Sequence, residues 1–309
     1  MKAFTMLLRR ELWEHRMLWI TPALIAAVLF LTMQIFAGHA HFGFAGRAVD
    51  GDMPPGAAFE LFVLATAVPF YLAAAIMAVI FLLDCLYADR RDRSILFWKS
   101  LPVADYTVVL SKLATGLLVI PLGAWIAATV TSLALGLSVE LRHALGFGGG
   151  STLPHWGGLP RWETLGWLRA LAYSLYVTLA AILWYAPYAG YLLMVSAWAR
   201  RSAYAWALIP PVVLTILEGL LFHSAHFVHL IQRRFDELMQ LAFSRFGDSD
   251  MWLTLGPGAP TGAGGSNQGL PLQPDPMALL GSPALWSGLL VAALFVWAAI
   301  VLRRRGDAQ

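Results

Sequence analysis

The sequence predicts an all-α polytopic membrane protein. It should have six transmembrane helices, an N-terminal interfacial helix, and an amphipathic outer helix between spans five and six. Three observations carry this reading. Of 309 residues, 59% are hydrophobic and only 13% are charged, against about 25% charged in soluble domains. The mean hydropathy is +0.67, and no water-soluble fold hides so much apolar surface behind so few charges. Six windows have the length that a hydrocarbon core of about 30 Å demands of a helix. Soluble enzymes, disordered chains and nucleic-acid modules are thereby disfavoured. The pI of 9.1 accompanies a net charge of only +3, a small excess that in a membrane chain reflects topology. The single cysteine, Cys85, excludes an internal disulfide framework and a multi-cysteine zinc site.

The chain reads as one transmembrane domain over 1–309. Segment 1–17 comes first. Phe4, Leu7, Leu8 and Leu12 share one face at helical spacing, with Arg9, Arg10 and Arg16 off its centre. An interfacial helix of this kind lies on a leaflet before turning into the first span. Glu14 and Glu11 also lie on it, and Glu11 points into the apolar arc. Two readings stand for Glu11: it reaches back to Arg10 or His15, or it partners a basic group on a neighbouring element.

The spans are 18–37, 61–83, 113–139, 170–199, 202–222 and 283–302. The first is expected to be a permanent span, because acidic residues precede it and it is too long for a cleaved signal. Proline lies in or at every span: Pro22, Pro69, Pro121, Pro187, Pro210 with Pro211, and Pro283. With the N-terminus inside, inner segments hold 14 Lys and Arg and outer segments hold 7. Both termini are therefore expected on the cytoplasmic side.

The inner segment 88–105 mixes charge with apolar bulk. Arg90, Arg91 and Arg93 precede Ser94, a suitable N-cap. Ile95, Leu96, Phe97, Trp98 and Lys99 could form a short helix, which Leu101 and Pro102 end. Asp105 could then cap the third span. The apolar cluster suits either an interfacial anchor or docking into a groove of another protein.

Outside, 226–246 repeats Phe227, Ile231, Phe235, Leu238, Ala242 and Phe246 every three or four residues, which makes an amphipathic helix over or in the outer leaflet. A lid is the functional alternative. It belongs to the outer segment 223–282, whose Gly- and Pro-rich part reads as a loop. Glu218 sits near the outer end of span five. It snorkels outward or pairs with Arg233 or Arg234, or else it lines a substrate path. His223, His226 and His229 are spaced by three, but no carboxylate or cysteine completes a ligand pattern, so no metal is assigned. No catalytic motif and no phosphate loop occurs, so no catalytic residue is assigned and ATP hydrolysis is not expected of this chain.

These parts in this order resemble the six-helix permeases of bacterial ABC exporters, the ABC-2-like or type V class. The resemblance rests on Leu7-Leu8-Arg9-Arg10-Glu11-Leu12-Trp13-Glu14-His15-Arg16 before the first span. It rests also on Asp89-Arg90-Arg91-Asp92-Arg93-Ser94-Ile95-Leu96-Phe97-Trp98-Lys99-Ser100-Leu101-Pro102-Val103 after the second, and on Lys112 at the start of the third. It implies that Arg90, Arg91, Arg93, Ile95, Leu96, Phe97, Trp98, Lys99, Leu101 and Pro102 form the element that docks on a cytoplasmic ATPase. It further implies a dimer with an identical or related permease subunit, residence in the bacterial inner membrane, and export. This chain itself would bind no cofactor; ATP and Mg would be held by the ATPase. The runner-up expectation is a membrane scaffold or sensor that moves nothing.

Overall fold

The computed structural model describes residues 2–36, 55–91, 104–145, 162–199, 202–243 and 272–305. Among these the regular structure is helical, and the β-bridge between Phe243 and Pro274 is isolated. Six helices are long and apolar enough to cross a membrane. The chain is an all-α polytopic membrane protein.

Helix α1, Lys2–Glu14, turns at His15 into α2, Met17–Phe36. Helix α3, Pro55–Arg91, is far longer than the apolar window that announced it. The third span is built from α4, Asp105–Ala114, a π-helical turn, Thr115–Val119, and α5, Ile120–Ala144. Pro121 has no N–H for the Leu117 carbonyl, and the widened turn lies just before it. The fourth span is two helices, α6, Thr164–Trp184, and α7, Ala186–Trp198. The break falls at Tyr185, whose backbone leaves the helical region (φ −92°, ψ 4°). Pro187 explains it, since proline fits the first turn of a new helix and not the middle of an old one. Then follow α8, Ala203–Phe222, α9, His226–Ala242, α10, Pro276–Gly281, and α11, Pro283–Arg305.

Segment 88–105 divides: residues up to Arg91 continue α3, and 92–103 lie outside the described residues. Asp105 does not cap the third span. Ala104 holds the N-cap position without a side-chain bond, and Asp105 is the first helical residue, leaving its carboxylate for another use.

Helices α3, α4, α5, α7 and α11 enclose the main core around Phe70, Leu82, Leu86, Val109 and Leu193. The most extensive pair is α7 with α11. Gly190 makes their close approach possible, because a Cβ there would stand 3.0 Å from the Ala292 carbonyl oxygen and 3.3 Å from Phe295 Cβ. Small residues at such crossings let helix backbones meet where lipid gives no hydrophobic drive. Between α3, α5 and α6, indoles and hydroxyls do the joining. Trp167 Nε1 donates to Ser132 Oγ at 3.2 Å, Trp125 Nε1 to Ser174 Oγ at 3.1 Å, and Tyr71 meets Thr178 Oγ1 at 2.9 Å. By contrast, the apolar window of α2 buries nothing within the chain and that of α8 almost nothing. Leu24, Val28 and Leu31 on α2, and Val212, Ile216 and Leu220 on α8, face outward.

The contacts sort the helices by end. The end of α3, the starts of α4 and α8, and the ends of α7 and α11 meet α1 at the termini end. The starts of α3 and α6, with the ends of α2 and α5, meet at the far end.

Gly190→Val should lower the midpoint of thermal unfolding in detergent, a loss of about 1–3 kcal/mol for overpacking. Gly123→Val carries the same change in helix propensity, but a Cβ at Gly123 meets nothing within 4 Å. Tryptophan fluorescence melts should therefore separate the two, and equal shifts would contradict the α7–α11 contact.

Candidate functional site

The densest chemistry lies at the termini end. On α1, Leu7 and Glu11 stand four apart and share a face; on α4, Val108 and Lys112 do the same. Leu7 packs on Val108, and this sets Lys112 Nζ 3.1 Å from Glu11 Oε1. Lys112 also donates to the Cys85 carbonyl at 2.9 Å and lies 3.4 Å from Asp89 Oδ2, both on α3. Asp89 Oδ2 in turn lies 3.4 Å from Arg303 Nη1 of α11. Arg303 Nε then stands 3.4 Å from Asp105 Oδ1, at the first residue of α4.

Three carboxylates thus face two cations in one chain of contacts through four helices. Glu11, Lys112 and Arg303 are each 5% exposed. Charges so placed must be paired, because attraction between them has to offset the loss of water around each. His15 Nε2 adds a contact 3.6 Å from Glu11 Oε2. Both readings of Glu11 hold in part: it faces His15 on its own helix, but its shorter contact is with Lys112. Arg10 pairs instead with Glu14, at 3.2 Å, and Arg9 lies 5.5 Å from the Trp13 ring.

The arginines near the start of segment 88–105 divide. Arg90 is turned inward. Its guanidinium donates to the Ala199 carbonyl at 2.9 Å and to that of Ser196, closing the C-terminus of α7, where a cation also suits the helix dipole. The sequence assigned it to orienting an outside partner; in the fold its donors serve α7. Arg91 is exposed and lies 5.9 Å from the Tyr87 ring. Arg93, Ile95, Leu96, Phe97, Trp98, Lys99, Leu101 and Pro102 lie outside the described residues. Helix α3 ends two residues after Asp89 and α4 begins at Asp105, so the residues that flank segment 92–103 on either side belong to or adjoin the ionic chain.

At the far end Glu218 has a local task. It accepts from Ser224 Oγ at 2.9 Å, from the His226 N–H at 2.7 Å and from the Phe227 N–H at 2.9 Å. It therefore caps the start of α9. The pairing with Arg233 or Arg234, one of the alternatives for Glu218, does not form. Arg233 reaches Glu237 at 2.9 Å, and Arg234 enters the bundle. There its guanidinium carbon lies 4.2 Å from the centre of the Trp184 ring, and Nη1 donates to the Ala284 carbonyl at 2.7 Å. Burial among these rings pushes the Arg234 guanidinium below its ordinary pKa, although arginine keeps its charge in proteins. Phe235 stacks on Tyr185 and Tyr188 beside it. Helix α9 is thus held against the break between α6 and α7. Among the described residues, no three His, Cys, Asp or Glu side chains converge as a metal would require.

No protein family, curated protein or solved structure matches this chain.

Sequence reasoning singled out Glu11 but not its partner. It quoted Lys112 and Asp89 only as parts of the local pattern, read Asp105 as a cap, and counted Arg303 only as an inner charge. The available signal was the matched spacing, an apolar residue four before an acid on α1 and four before a lysine on α4. Lys112→Met removes the cation shared by Glu11 and Asp89. The expected cost is about 3–5 kcal/mol, the range for breaking a buried pair. The double variant Glu11→Gln/Lys112→Met should recover part of the loss. Thermal unfolding of the three variants in detergent measures both effects.

Proposed function

We propose that the chain is the permease subunit of an ATP-driven ABC exporter, working as a dimer in the bacterial inner membrane with both termini cytoplasmic. Separate cytoplasmic ATPase subunits bind segment 92–103 and hold the ATP and Mg. The observation that best supports the reading is the ionic chain through Glu11, Lys112, Asp89, Arg303 and Asp105 at both roots of that segment. A push on the segment reaches Asp89 and Asp105 first. Through them it reaches α1, α3, α4 and α11 together, since charge pairs in a poorly solvated site resist separation more than surface pairs do. A scaffold that moves nothing has no use for such a link among several spans at the flanks of this segment. The resemblance in local sequence gives the same reading.

Within this reading Phe97 and Trp98 are the anchors, and Arg91 and Arg93 steer the encounter. Aromatic anchors often carry about 2 kcal/mol or more each, and rim charges less. A loss of about 2 kcal/mol weakens binding roughly 30-fold. Tagged chain, solubilised from its native membrane, should bring down a subunit that has a phosphate loop, and ATP hydrolysis should appear only in that complex. Trp98→Ala should lose the subunit while staying monodisperse. Arg91→Ala should lose less, with an effect that fades at high salt. Equal recovery by the original chain and Trp98→Ala would defeat the docking assignment, and ATP hydrolysis by the isolated chain would defeat the division of labour.

A further inference from the structure

Helix α1 has a second side that the ionic chain does not use. Leu7 packs on Val108 and Glu11 meets Lys112, so α1 runs beside α4 with that face turned to the bundle. On the opposite side Met6, Arg9 and Trp13 are exposed and fall at helical spacings of three and four. Arg16, also exposed, follows three residues later at the turn into α2. Trp13 is 72% exposed, and the Arg9 guanidinium carbon lies 5.5 Å from the centre of its ring. The apolar arc expected to meet lipid is partly taken up by the protein: Leu7 is buried, and Phe4, Leu8 and Leu12 are half-buried. The side left uncovered carries guanidinium and indole.

Two observations fix its depth. The His15 ring stands edge-on to Phe81 of α3, with centroids 5.0 Å apart. Phe81 precedes Asp89 by about two helical turns, so it lies about 12 Å nearer the middle of that span. Arg16 immediately precedes the apolar stretch Met17–Ile35, whose window buries nothing within the chain. Between Arg9 and Arg16 the chain therefore passes through the headgroup layer and reaches the edge of the hydrocarbon.

Charge says what this side takes. Among the described residues neither Arg9 nor Arg16 has a carboxylate partner. The acids of α1 are engaged elsewhere, Glu11 with Lys112 at 3.1 Å and Glu14 with Arg10 at 3.2 Å. A guanidinium fork at headgroup depth matches a phosphate with two parallel hydrogen bonds. The indole between them joins an apolar body to a polar tip, which suits the same boundary.

We propose that this side of α1 binds anionic phospholipid of the leaflet at the termini end. Arg9 and Arg16 hold the headgroups, and the Trp13 indole lies between them at the acyl boundary. The contact needs no ATPase and stands apart from the exporter reading, so the chain alone suffices to test it.

The detergent-purified full chain is offered equal amounts of phosphatidylglycerol and phosphatidylcholine, and native mass spectrometry counts the lipid retained. Each basic side chain near an anionic surface contributes roughly a fivefold preference, and two contribute about 30-fold. Phosphatidylglycerol should therefore be in excess, and Arg9→Gln/Arg16→Gln should cut that excess about 30-fold. Arg9→Lys/Arg16→Lys keeps the charge and should keep most of the excess. Arg233→Gln removes an exposed cation at the far end and should leave the excess unchanged. If the double Gln variant is not monodisperse, the single variants decide, each with an expected loss of roughly fivefold. An unchanged excess in Arg9→Gln/Arg16→Gln, or an equal fall in Arg233→Gln, would overturn the proposal. A loss of dimer with the lipid excess unchanged would also overturn it and assign this side of α1 to a second copy of the chain.

Discussion

A lysine and an arginine almost out of reach of solvent must find carboxylates, and this need organises the termini end of the bundle. Lys112 and Arg303 cannot be satisfied from their own helices. Lys112 finds Glu11 on α1 and Asp89 on α3; Arg303 finds Asp89 again and Asp105 on α4. Asp89 is the shared member and joins the two halves. Leu7 on Val108 supplies the short apolar contact that fixes the register of α1 on α4. Without that register Glu11 would be a misplaced charge on an apolar face. With it, the N-terminal helix becomes part of the bundle. Removing one partner would strand the others, which makes the cluster cooperative.

The far end is held by different means. Arg234 runs from α9 into the bundle over Trp184, and Gly288 leaves room for it: a Cβ there would stand 1.6 Å from Arg234 Nη2. Glu218 fixes the start of the same helix through backbone N–H groups. These contacts pin α9 to α6, α7 and α11 through one cation, aromatic rings and a cap, with no chain of alternating charges. The two ends therefore differ in kind. Among the described residues, one is an ionic cluster spread over four helices, while the other combines the latched helix α9 with the separate Glu60–Arg169 pair. In the proposed exporter the first would receive the push from the ATPase and the second would bear on the outer opening.

Much of the fold was legible in the sequence, because apolar length is a local property. The windows 18–37 and 202–222 agree with α2 and α8 to within a residue or so. Windows 61–83 and 113–139 found their spans but not the ends, since α3 and α5 continue past the apolar stretch as polar helix, which hydropathy does not see. The break at Tyr185 was signalled only by Pro187, and proline occurs in every span, so the sign was not selective. Glu11 stood out as a charge in an apolar arc. Its partner lies about a hundred residues away, and no local pattern reports a tertiary pairing. For Glu218 the sequence offered an outward-snorkelling carboxylate, a pairing with Arg233 or Arg234, or a place on a substrate path; its partners are the Ser224 hydroxyl and two backbone N–H groups, which side-chain patterning does not show. Arg90 was grouped with its charged neighbours by sequence, whereas its depth on α3 sends it to the carbonyls of α7.

The central claim is that Asp89 joins α1, α3, α4 and α11 into one cooperative unit. Hydrogen exchange of the full chain in nanodiscs, compared with Asp89→Asn, tests it most directly. The account predicts that amide exchange rises together in residues 2–14, 85–91, 105–114 and 298–305 while the α7–α11 contact around Gly190 stays protected. A rise confined to the end of α3, with α1 and the end of α11 unchanged, would contradict it.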